Sequence, residues 1–448
     1  MSILTPETPV IALPELDLFE NIPIQTQIES TVTEEILPIS QLNSGAHIEF
    51  IVKTHENEFI RPCEAMIQVA YRVKLRKTDA TNIAAADWEK VSMINNAADS
   101  MFGQIDVSIG ETQTTKPLFT HPYRAYIHTV LHAPEEAKKT FLKLRGFDDD
   151  DFSSEKIHKP QKKRIAHLKP ESTATDQSIS KKGEFWFPIH SDIFRQMKDL
   201  VGDITLKIRL IPSRPEFFFM TEDEKLIPSI HFEEVVLHLV SRNVNGSVVL
   251  GIREGLMRSP AKYPVDKVEV RTHTIDTGTT SRILDNIYNG TIPRFVLIAF
   301  VDNDAFSGSY TKNPFYFDHY DLGSISCYVN SVLINRRPFK PDHNLAYFGK
   351  EYINFLKVIG QLNNNITTTI TPEQYKKGFF MIPWDLTRDG TQGYLTSGYS
   401  DAPTTDSNLR FAVTFNKPLE KTITAIIYCA WDGLNLIDNF RNAAVSAD

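Results

Sequence analysis

The sequence predicts an all-β protein made of two consecutive eight-stranded antiparallel sandwiches, with a few short helices in the loops and an extended N-terminal arm. Segments in both halves alternate apolar and polar residues, which is typical of strands with one buried face. Each half also runs in the same order, from alternating strands through a helix and an aromatic strand ending in proline to further alternating strands. The 448 residues allow about 200 residues for each half, a size that suits one sandwich.

Composition and charge exclude several classes of protein. Hydrophobic residues make up 41% and charged residues 23% of the chain, which is enough to build a large core. The net charge of −8 argues against nucleic acid as the main ligand, because whole-surface attraction to phosphates requires the opposite sign. Three widely spaced cysteines are not a disulfide framework and suit a reducing compartment.

The chain shows neither a targeting nor a membrane-spanning pattern. Its first residues contain no basic region followed by an apolar segment, so we expect no signal peptide. No run approaches the roughly 18 apolar residues that a membrane helix needs. We therefore expect synthesis in the cytosol or nucleus and no integral membrane segment.

Residues 1–44 are predicted to form an extended arm. They are rich in Pro, Glu, Thr and Ile and show little sustained alternation. Within them, Leu16, Asp17, Leu18 and Phe19 form a compact apolar anchor, which we interpret as an assembly contact. The alternative is a disordered tail, whose composition would be similar.

Residues 45–244 are predicted to be the first sandwich. Alternating or aromatic segments that indicate strands lie at 48–52, 66–75, 104–109, 183–188, 203–210 and 231–242. Residues 121–143 have apolar positions at roughly helical spacing and predict the clearest helix of this half.

An exposed loop is predicted at 147–182, because no core pattern survives there. An acidic run at 148–151 is expected to be a solvated turn. A basic cluster, Lys159, Lys162, Lys163 and Arg164, is a candidate contact for nucleic acid or acidic partner surfaces. The alternative is a solvated charge run without a partner.

The second half repeats this organisation, with a linker at 245–262, a second sandwich at 263–434 and a C-terminal tail at 435–448. Predicted strands lie at 268–275, 295–301, 379–383, 409–415 and 422–428, with a hairpin at 324–334 and a helix at 345–359. The stretch 283–322 contains turn signals, an apolar run and an aromatic cluster but no chemical motif. We predict that Phe295 and Phe317 within it are core residues.

Two arrangements resemble catalytic sites but do not satisfy the geometry. His190, Ser191 and Asp192 have the residue types of a hydrolase triad, but adjacent side chains point apart, so we interpret them as a helix start. Glu233 and Glu234 are neighbours on a predicted strand and face opposite sides, which excludes a catalytic carboxylate pair.

Metal binding also has weak support. His128 and His132 are four residues apart on the predicted helix, but no third ligand is apparent, so surface or interface histidines are the favoured interpretation. The acidic run at 148–151 lacks the regular spacing of a calcium loop. We predict no enzymatic activity, no catalytic or metal-binding residue and no cofactor.

An ordered set of segments nevertheless matches a known group of proteins. The set comprises Leu16, Asp17, Leu18 and Phe19 with Pro23, Gln25 and Thr26, then 48–50, 123–127, 187–194, 268–278, 290–322, 384–387, and Ile437 and Asp438 with Arg441. In these segments the chain resembles the major capsid proteins of Polinton/Maverick elements and adintoviruses, over nearly its whole length.

This resemblance implies a double jelly-roll, in which both sandwiches are jelly-rolls standing side by side. It further implies a homotrimer with a pseudo-hexameric outline, assembled with neighbouring capsomers into an icosahedral shell. Penton and other minor capsid proteins, and weak contact with packaged DNA, are the partners it implies. The protein would be made in the host cytoplasm, be assembled there or in the nucleus, and end in the virion.

A second class of function stays open at this stage. A two-domain β-sandwich that binds glycans or processes carbohydrates would also be rich in aromatic residues, because exposed rings stack on sugars. Burial of Trp186 and Trp384 in the sandwich cores would remove the best support for this alternative.

Overall fold

The fold is described from a computed structural model of the chain. The structure describes residues 24–42, 45–79, 81–150, 164–166, 168–171, 176–334, 337–345, 348–362, 370–387, 390 and 407–445. Nineteen strands, β1–β19, are numbered in chain order over these residues.

The first half holds strands β1–β10. They are β1 Ile28–Ile36, β2 Ile48–Lys53, β3 Glu58–Lys77, β4 Val91–Met93, β5 Phe102–Ile109, β6 Thr112–Gln113, β7 Gly183–Pro188, β8 Thr205–Pro212, β9 Phe219–Thr221 and β10 Leu226–Val244. Two four-stranded sheets form from them, in the orders β1-β10-β3-β7 and β2-β8-β5-β6, while β4 and β9 pair separately.

The second half holds strands β11–β19. They are β11 Ala261–Ile275, β12 Ser281–Gly290, β13 Phe295–Asp302, β14 Leu322–Val329, β15 Val332–Leu333, β16 Met381–Asp385, β17 Ser407–Phe415, β18 Ile423–Ile437 and β19 Ala443–Val445. Their sheets have the orders β11-β18-β13-β16, with β19 added at β18, and β12-β17-β14-β15.

The two halves have the same topology. When the eight sandwich strands of each half are counted from its first strand, both halves give sheets in the orders 1-8-3-6 and 2-7-4-5. Every pairing between these strands is antiparallel. The prediction of two consecutive eight-stranded antiparallel sandwiches is confirmed.

Short helices occupy the connections. They are α1 Ala97–Ser100, α2 His121–His132, α3 Glu135–Lys139, α4 Pro215–Phe218, α5 Gly246–Arg258, α6 Asn303–Ser307, α7 Gly349–Val358 and α8 Pro372–Lys376, with 3-10 turns at Ala85–Lys90, Phe141–Arg145 and Asp192–Phe194.

The sheet β11-β18-β13-β16 of the second sandwich is covered on both faces. Every residue of β13 is buried, and so is every residue of β18 from 423 to 431. A sheet with one solvated face would alternate buried and exposed positions. One face therefore packs inside the second sandwich and the other against the first half. The predicted core residues Phe295 and Phe317 are both buried, at 5% and 0% exposure.

The prediction that residues 1–44 form an extended arm is wrong for residues 28–36. Strand β1 lies inside that range and pairs with β10, from Ile28 opposite Val244 to Ile36 opposite Leu237. It occupies a sheet edge and none of its residues is fully buried. A strand with so little burial needs no apolar alternation, which is why the sequence pattern failed to predict it.

The predicted helix 121–143 is too long. Helix α2 ends at His132, and Ala133 is extended because it precedes Pro134, whose ring disfavours helical backbone in the preceding residue. The chain then continues as α3 and a 3-10 turn. The helix predicted at 345–359 is shorter as well and covers only α7.

The predicted linker and tail are structured. Residues 245–262 contain α5. The residue before this helix, Asn245, caps it, because its side chain accepts a hydrogen bond from the Ser247 amide. The range 435–448 contains the end of β18 and strand β19, which pairs with it. Most backbone groups of the described residues in both segments are therefore paired in the folded chain.

Candidate functional site

The two sandwiches meet at a junction formed by α2 and the 3-10 turn Asp192–Phe194 from the first half and β11 from the second. Arg124 on α2 forms an ion pair with Asp192 and donates a hydrogen bond to the Val268 carbonyl at 3.3 Å. The Asp192 carboxylate also accepts from the Val268 amide at 3.3 Å. The Asp192 carboxylate and the Arg124 guanidinium thus join the two halves by binding the backbone of β11 at Val268.

An aromatic cluster forms the second part of the junction. The rings of Tyr126 and Phe315 stack with centroids 4.1 Å apart and planes within 8° of parallel. Tyr123 contacts Phe306 and Phe315 at centroid distances of 5.8 and 5.6 Å. Such ring pairs add specific geometry to the free energy of apolar burial. The aromatic residues of the 283–322 stretch therefore fasten the second sandwich to α2.

A buried polar cluster lies at the first turn of α2. Arg145 donates from Nη2 to the Asp99 carboxylate at 2.7 Å and to His190 Nε2 at 2.6 Å. The His121 and His190 Nε2 atoms lie 4.0 and 3.6 Å from Asp99 Oδ1. Because a guanidinium has only donors, His190 Nε2 must be the acceptor, so this imidazole is neutral.

Burial and neighbouring cations keep these histidines uncharged. Burial, aided by Arg124 and Arg145, lowers the pKa of His121 to about 3. Burial also holds the pKa of His190 well below its usual range, with Arg145 and Arg195 acting in the same direction. His121 and His190 are therefore neutral in the folded protein, and their protonation at the junction would cost free energy.

Further contacts join distant segments of the two halves. Arg441 Nε donates to the Gly202 carbonyl at 2.7 Å, and Thr112 Oγ1 donates to the Ala443 carbonyl at 2.9 Å. The Tyr263 hydroxyl accepts from the Val201 amide at 3.1 Å. These contacts tie the C-terminal residues of the chain and the start of β11 to the first sandwich.

Most of the residues predicted to be functional lie outside the described residues. This is the case for Leu16, Asp17, Leu18 and Phe19, and for Lys159, Lys162 and Lys163.

The prediction that Arg164 is an exposed contact residue is wrong. Its side chain is 1% exposed and forms an ion pair with Asp150, whose side chain is 0% exposed. Arg164 also donates to the Met93 carbonyl at 3.1 Å. Asp150 likewise departs from the predicted solvated turn at 148–151. Opposite charges distant in sequence neutralise each other inside the fold, which a run of charges in the sequence does not reveal.

His190, Ser191 and Asp192 have separate structural partners. The His190 ring faces Arg145, and Asp192 binds Arg124 and the Val268 amide. Ser191 begins the 3-10 turn without a capping hydrogen bond from its side chain. The interpretation as a helix start thus holds for the position of Ser191 but not for a side-chain cap.

The histidine pair on α2 stacks, since the rings of His128 and His132 lie 4.4 Å apart. Arg195 contacts His128 Nε2. Over the described residues, no group of three His, Cys, Asp or Glu side chains is arranged to hold a metal ion.

The two tryptophans considered as a glycan platform differ in exposure. Trp384 is 1% exposed and lies against Phe411 in the second sandwich. Trp186 is half-buried on the outer face of β7, where its ring lies 4.5 Å from that of His238 and its indole nitrogen donates to Glu184 at 2.6 Å. Only one of the two rings is thus accessible. Among the helices of the described residues, none is long and apolar enough to cross a membrane.

Several junction residues carry no signal in the sequence. Asp99 and Arg145 are ordinary charged residues there, and only the fold brings them together. Tyr123, Arg124 and Tyr126 could be found, because they belong to a segment that carries the resemblance to capsid proteins.

No family model matches the chain. An uncharacterized protein of Caenorhabditis elegans is 21% identical over 370 residues, covering 79% of this chain and 81% of that protein.

Solved structures of viral proteins are similar over nearly the whole chain. A chain of the Sputnik virophage superposes with a TM-score of 0.67 at 12% identity, covering 100% of this chain and 94% of the other. The mavirus major capsid protein superposes with a TM-score of 0.54 at 11% identity, covering 100% of this chain and 97% of the mavirus chain. The Faustovirus major capsid protein superposes with a TM-score of 0.56 at 8% identity, covering 94% of this chain and 92% of the Faustovirus chain. Together with the duplicated strand order, this similarity shows that the chain has a double jelly-roll fold.

Proposed function

We propose that the protein is a major capsid subunit that acts by self-association and has no catalytic role. The observation that carries this proposal is the junction, which holds two sandwiches of the same topology together as one unit. The similarity to the mavirus and Faustovirus major capsid proteins supports it.

The duplicated fold supports the proposal of a homotrimer. Three copies of a two-sandwich chain supply six similar sandwiches, which can surround a threefold axis with a nearly hexagonal outline. Hexagonal units tile the faces of an icosahedral shell. Sandwich sheets also have edge strands that need covering, here β1, β7, β2 and β6 in the first half, and a tight trimer would cover such edges.

The finer assignment within this proposal is the Polinton/Maverick and adintovirus lineage, which rests on the matching sequence segments. On this assignment the partners are further copies of the chain together with penton and minor capsid proteins. Lys159, Lys162 and Lys163 remain a proposed contact for packaged DNA, without Arg164. The protein would reside in the virion after synthesis in the host cytoplasm and assembly there or in the nucleus.

Light scattering coupled to size-exclusion chromatography, followed by electron microscopy of the peak, tests the proposal. We expect a mass of three 51.0 kDa chains and particles with a hexagonal outline. A chain that stays monomeric at high concentration, and forms no oligomer in virions or particles, would contradict it. Glycan binding by such a monomer, lost on Trp186→Ala, would favour the carbohydrate alternative instead.

A further inference from the structure

A cavity of about 410 Å³ lies between the two sheets of the first sandwich, and we call it the sheet cavity. Pro212 ends β8 and Met101 precedes β5, two strands of one sheet, while Ile230 and Phe232 lie on β10 of the other. The rest of its lining is Gly45, Ser213, Arg214, Pro215, Phe218, Phe219 and Ser229. The volume falls in the roughly 300–1,000 Å³ range of small-molecule sites.

Irregular strand pairing accounts for this space. The register between β5 and β8 shifts between Phe102 and Gln104, and the register between β10 and β3 shifts between Phe232 and Glu234. Such a bulge bends its strand and increases the local twist. Two bulges on facing sheets let the sheets diverge at this end. The stacked rings of Phe102 and Phe232, with centroids 5.8 Å apart, keep the sheets in contact beside the cavity.

The interior of the sheet cavity is apolar. Its inner walls are side chains that are each at most 3% exposed, namely Met101, Phe218, Phe219 and Phe232. Wall atoms that face an empty space forgo the dispersion contacts that a filling group would make. An alkyl chain would supply these contacts without leaving a polar group unpaired in the interior.

The mouth of the sheet cavity is polar. Arg214 is exposed there, and among the lining residues it is the only charged one. The carboxyl of Glu216, two residues further along the chain, is hydrogen-bonded to Tyr310. Ser213 adds a buried hydroxyl that has no hydrogen-bond partner within the described part of the chain. A guanidinium and a hydroxyl can both donate to a carboxylate.

We propose that the sheet cavity binds a fatty acid, with its alkyl chain against the apolar walls and its carboxylate on Arg214 and Ser213. A carboxylate matches the single positive charge at the mouth, whereas a phosphate monoester carries up to two negative charges. A chain of about twelve carbons suits the volume of about 410 Å³, which corresponds to roughly fourteen groups of about 30 Å³ each. The proposal does not rest on the capsid function, because the cavity lies within one sandwich of one chain.

Calorimetric titration of the full-length protein with dodecanoate, below the micelle concentration, tests the proposal. We expect one ligand per chain and a higher melting temperature, because a ligand that binds only the folded state stabilises it. 1-Dodecanol keeps the alkyl chain but lacks the charge, so it should bind more weakly. Dodecyl phosphate should not bind more tightly than dodecanoate, and tighter binding of the phosphate would overturn the assignment of a fatty acid.

Variants at the mouth and in the interior locate the ligand. Arg214→Gln should weaken dodecanoate binding about fivefold, the effect of an exposed ion pair, and leave dodecanol binding unchanged. Arg282→Gln, at an exposed arginine on β12, is the matched control and should change neither affinity. Ile230→Trp places a larger side chain at the cavity and should abolish binding of both ligands. Far-UV circular dichroism establishes that each variant is folded.

The absence of dodecanoate binding to the folded parent protein would overturn the proposal. Equal dodecanoate affinities of the parent and Arg214→Gln would overturn the assigned position of the carboxylate. Unchanged binding to folded Ile230→Trp would show that the ligand lies elsewhere. If Ile230→Trp does not fold, the comparison of Arg214→Gln with Arg282→Gln decides the site.

Discussion

Arg164 and Asp150 form an ion pair in the interior of the first half, with both side chains almost completely buried. Each charge has lost its water, and each is tolerated only because the other is present. The sequence places Arg164 in a basic cluster and Asp150 in an acidic run, so neighbours in the chain are a poor guide to the environment of either residue.

Removing one partner of this pair should be far more costly than removing a surface charge. We expect Arg164→Met to lower the free energy of unfolding by about 3–5 kcal/mol, because Asp150 would stay buried without its counterion. Lys139→Met, which breaks an exposed pair with Glu135, should change it by less than about 1 kcal/mol. Urea unfolding at pH 7 measures both.

The double variant Asp150→Leu with Arg164→Met separates charge from packing. It should recover part of the loss, since no unpaired charge remains. If Arg164→Met and Lys139→Met lost equal amounts of unfolding free energy, the buried ion pair would not be needed for stability.

At the level of helices and strands, burial decides which sequence patterns are informative. Strand β13 and the first half of β18 are apolar and buried, and the sequence predicts them as the strands at 295–301 and 422–428. Strand β1 has almost no burial and was mistaken for an arm. Helix α2 was found, but its end was not, because the effect of Pro134 on Ala133 outweighs the apolar spacing that continues beyond it.

Charged substitutions in the 283–322 stretch test its place in the core. Phe295 packs edge-on against Tyr428 at a centroid distance of 6.1 Å, and Phe317 lies 6.2 Å from Tyr126. Phe295→Asp and Phe317→Asp should each abolish folding, because a carboxylate would be buried without a partner. Phe440→Asp, at a residue 82% exposed, is the control and should leave folding intact. Soluble fraction and circular dichroism report the outcome, and soluble trimers of either core variant would show the assignment to be wrong.

Over the molecule as a whole, the junction makes the two sandwiches one unit. Its aromatic part supplies apolar burial, and its polar part supplies charges whose balance depends on pH. His121 and His190 are 6% and 7% exposed and lie among Arg124, Arg145, Arg195, Asp99 and Asp192. Protonation of these histidines at low pH would therefore disturb the contacts that join the two halves.

The sign of this pH dependence follows from the depressed histidine pKa values. Below about pH 6.5 the unfolded chain binds protons at His121 and His190 that the folded chain does not bind. Stability should fall as pH decreases through this window, by about 1.4 kcal/mol per pH unit for each histidine. The loss continues toward the folded-state pKa, which is about 3 for His121.

Urea unfolding between pH 7.5 and 5 measures this slope. The double variant His121→Gln with His190→Gln should show a shallower loss of stability than the parent protein. His55→Gln, at an exposed histidine, is the control and should keep the parent slope. The same slope in the parent and the double variant would exclude these histidines as its source.

The fold class could be predicted from the amino-acid sequence alone, because alternation over five to ten residues is a local property that records which face of a strand is buried. The duplication could be predicted too, since each half repeats the same order of segments, and so could the core positions of Phe295 and Phe317. Each of these depends on residues close together in the chain.

Which residues meet at the junction depends on the folded structure and could not be predicted. Asp99, Arg145 and His190 are separated by up to 91 positions in sequence, and they contact one another because the sheets bring their loops to one side of α2. The burial of Arg164 and the sheet pairing of β1 have the same origin. Long-range contacts set the environment of a charge and of an edge strand, and no local pattern in the sequence records them.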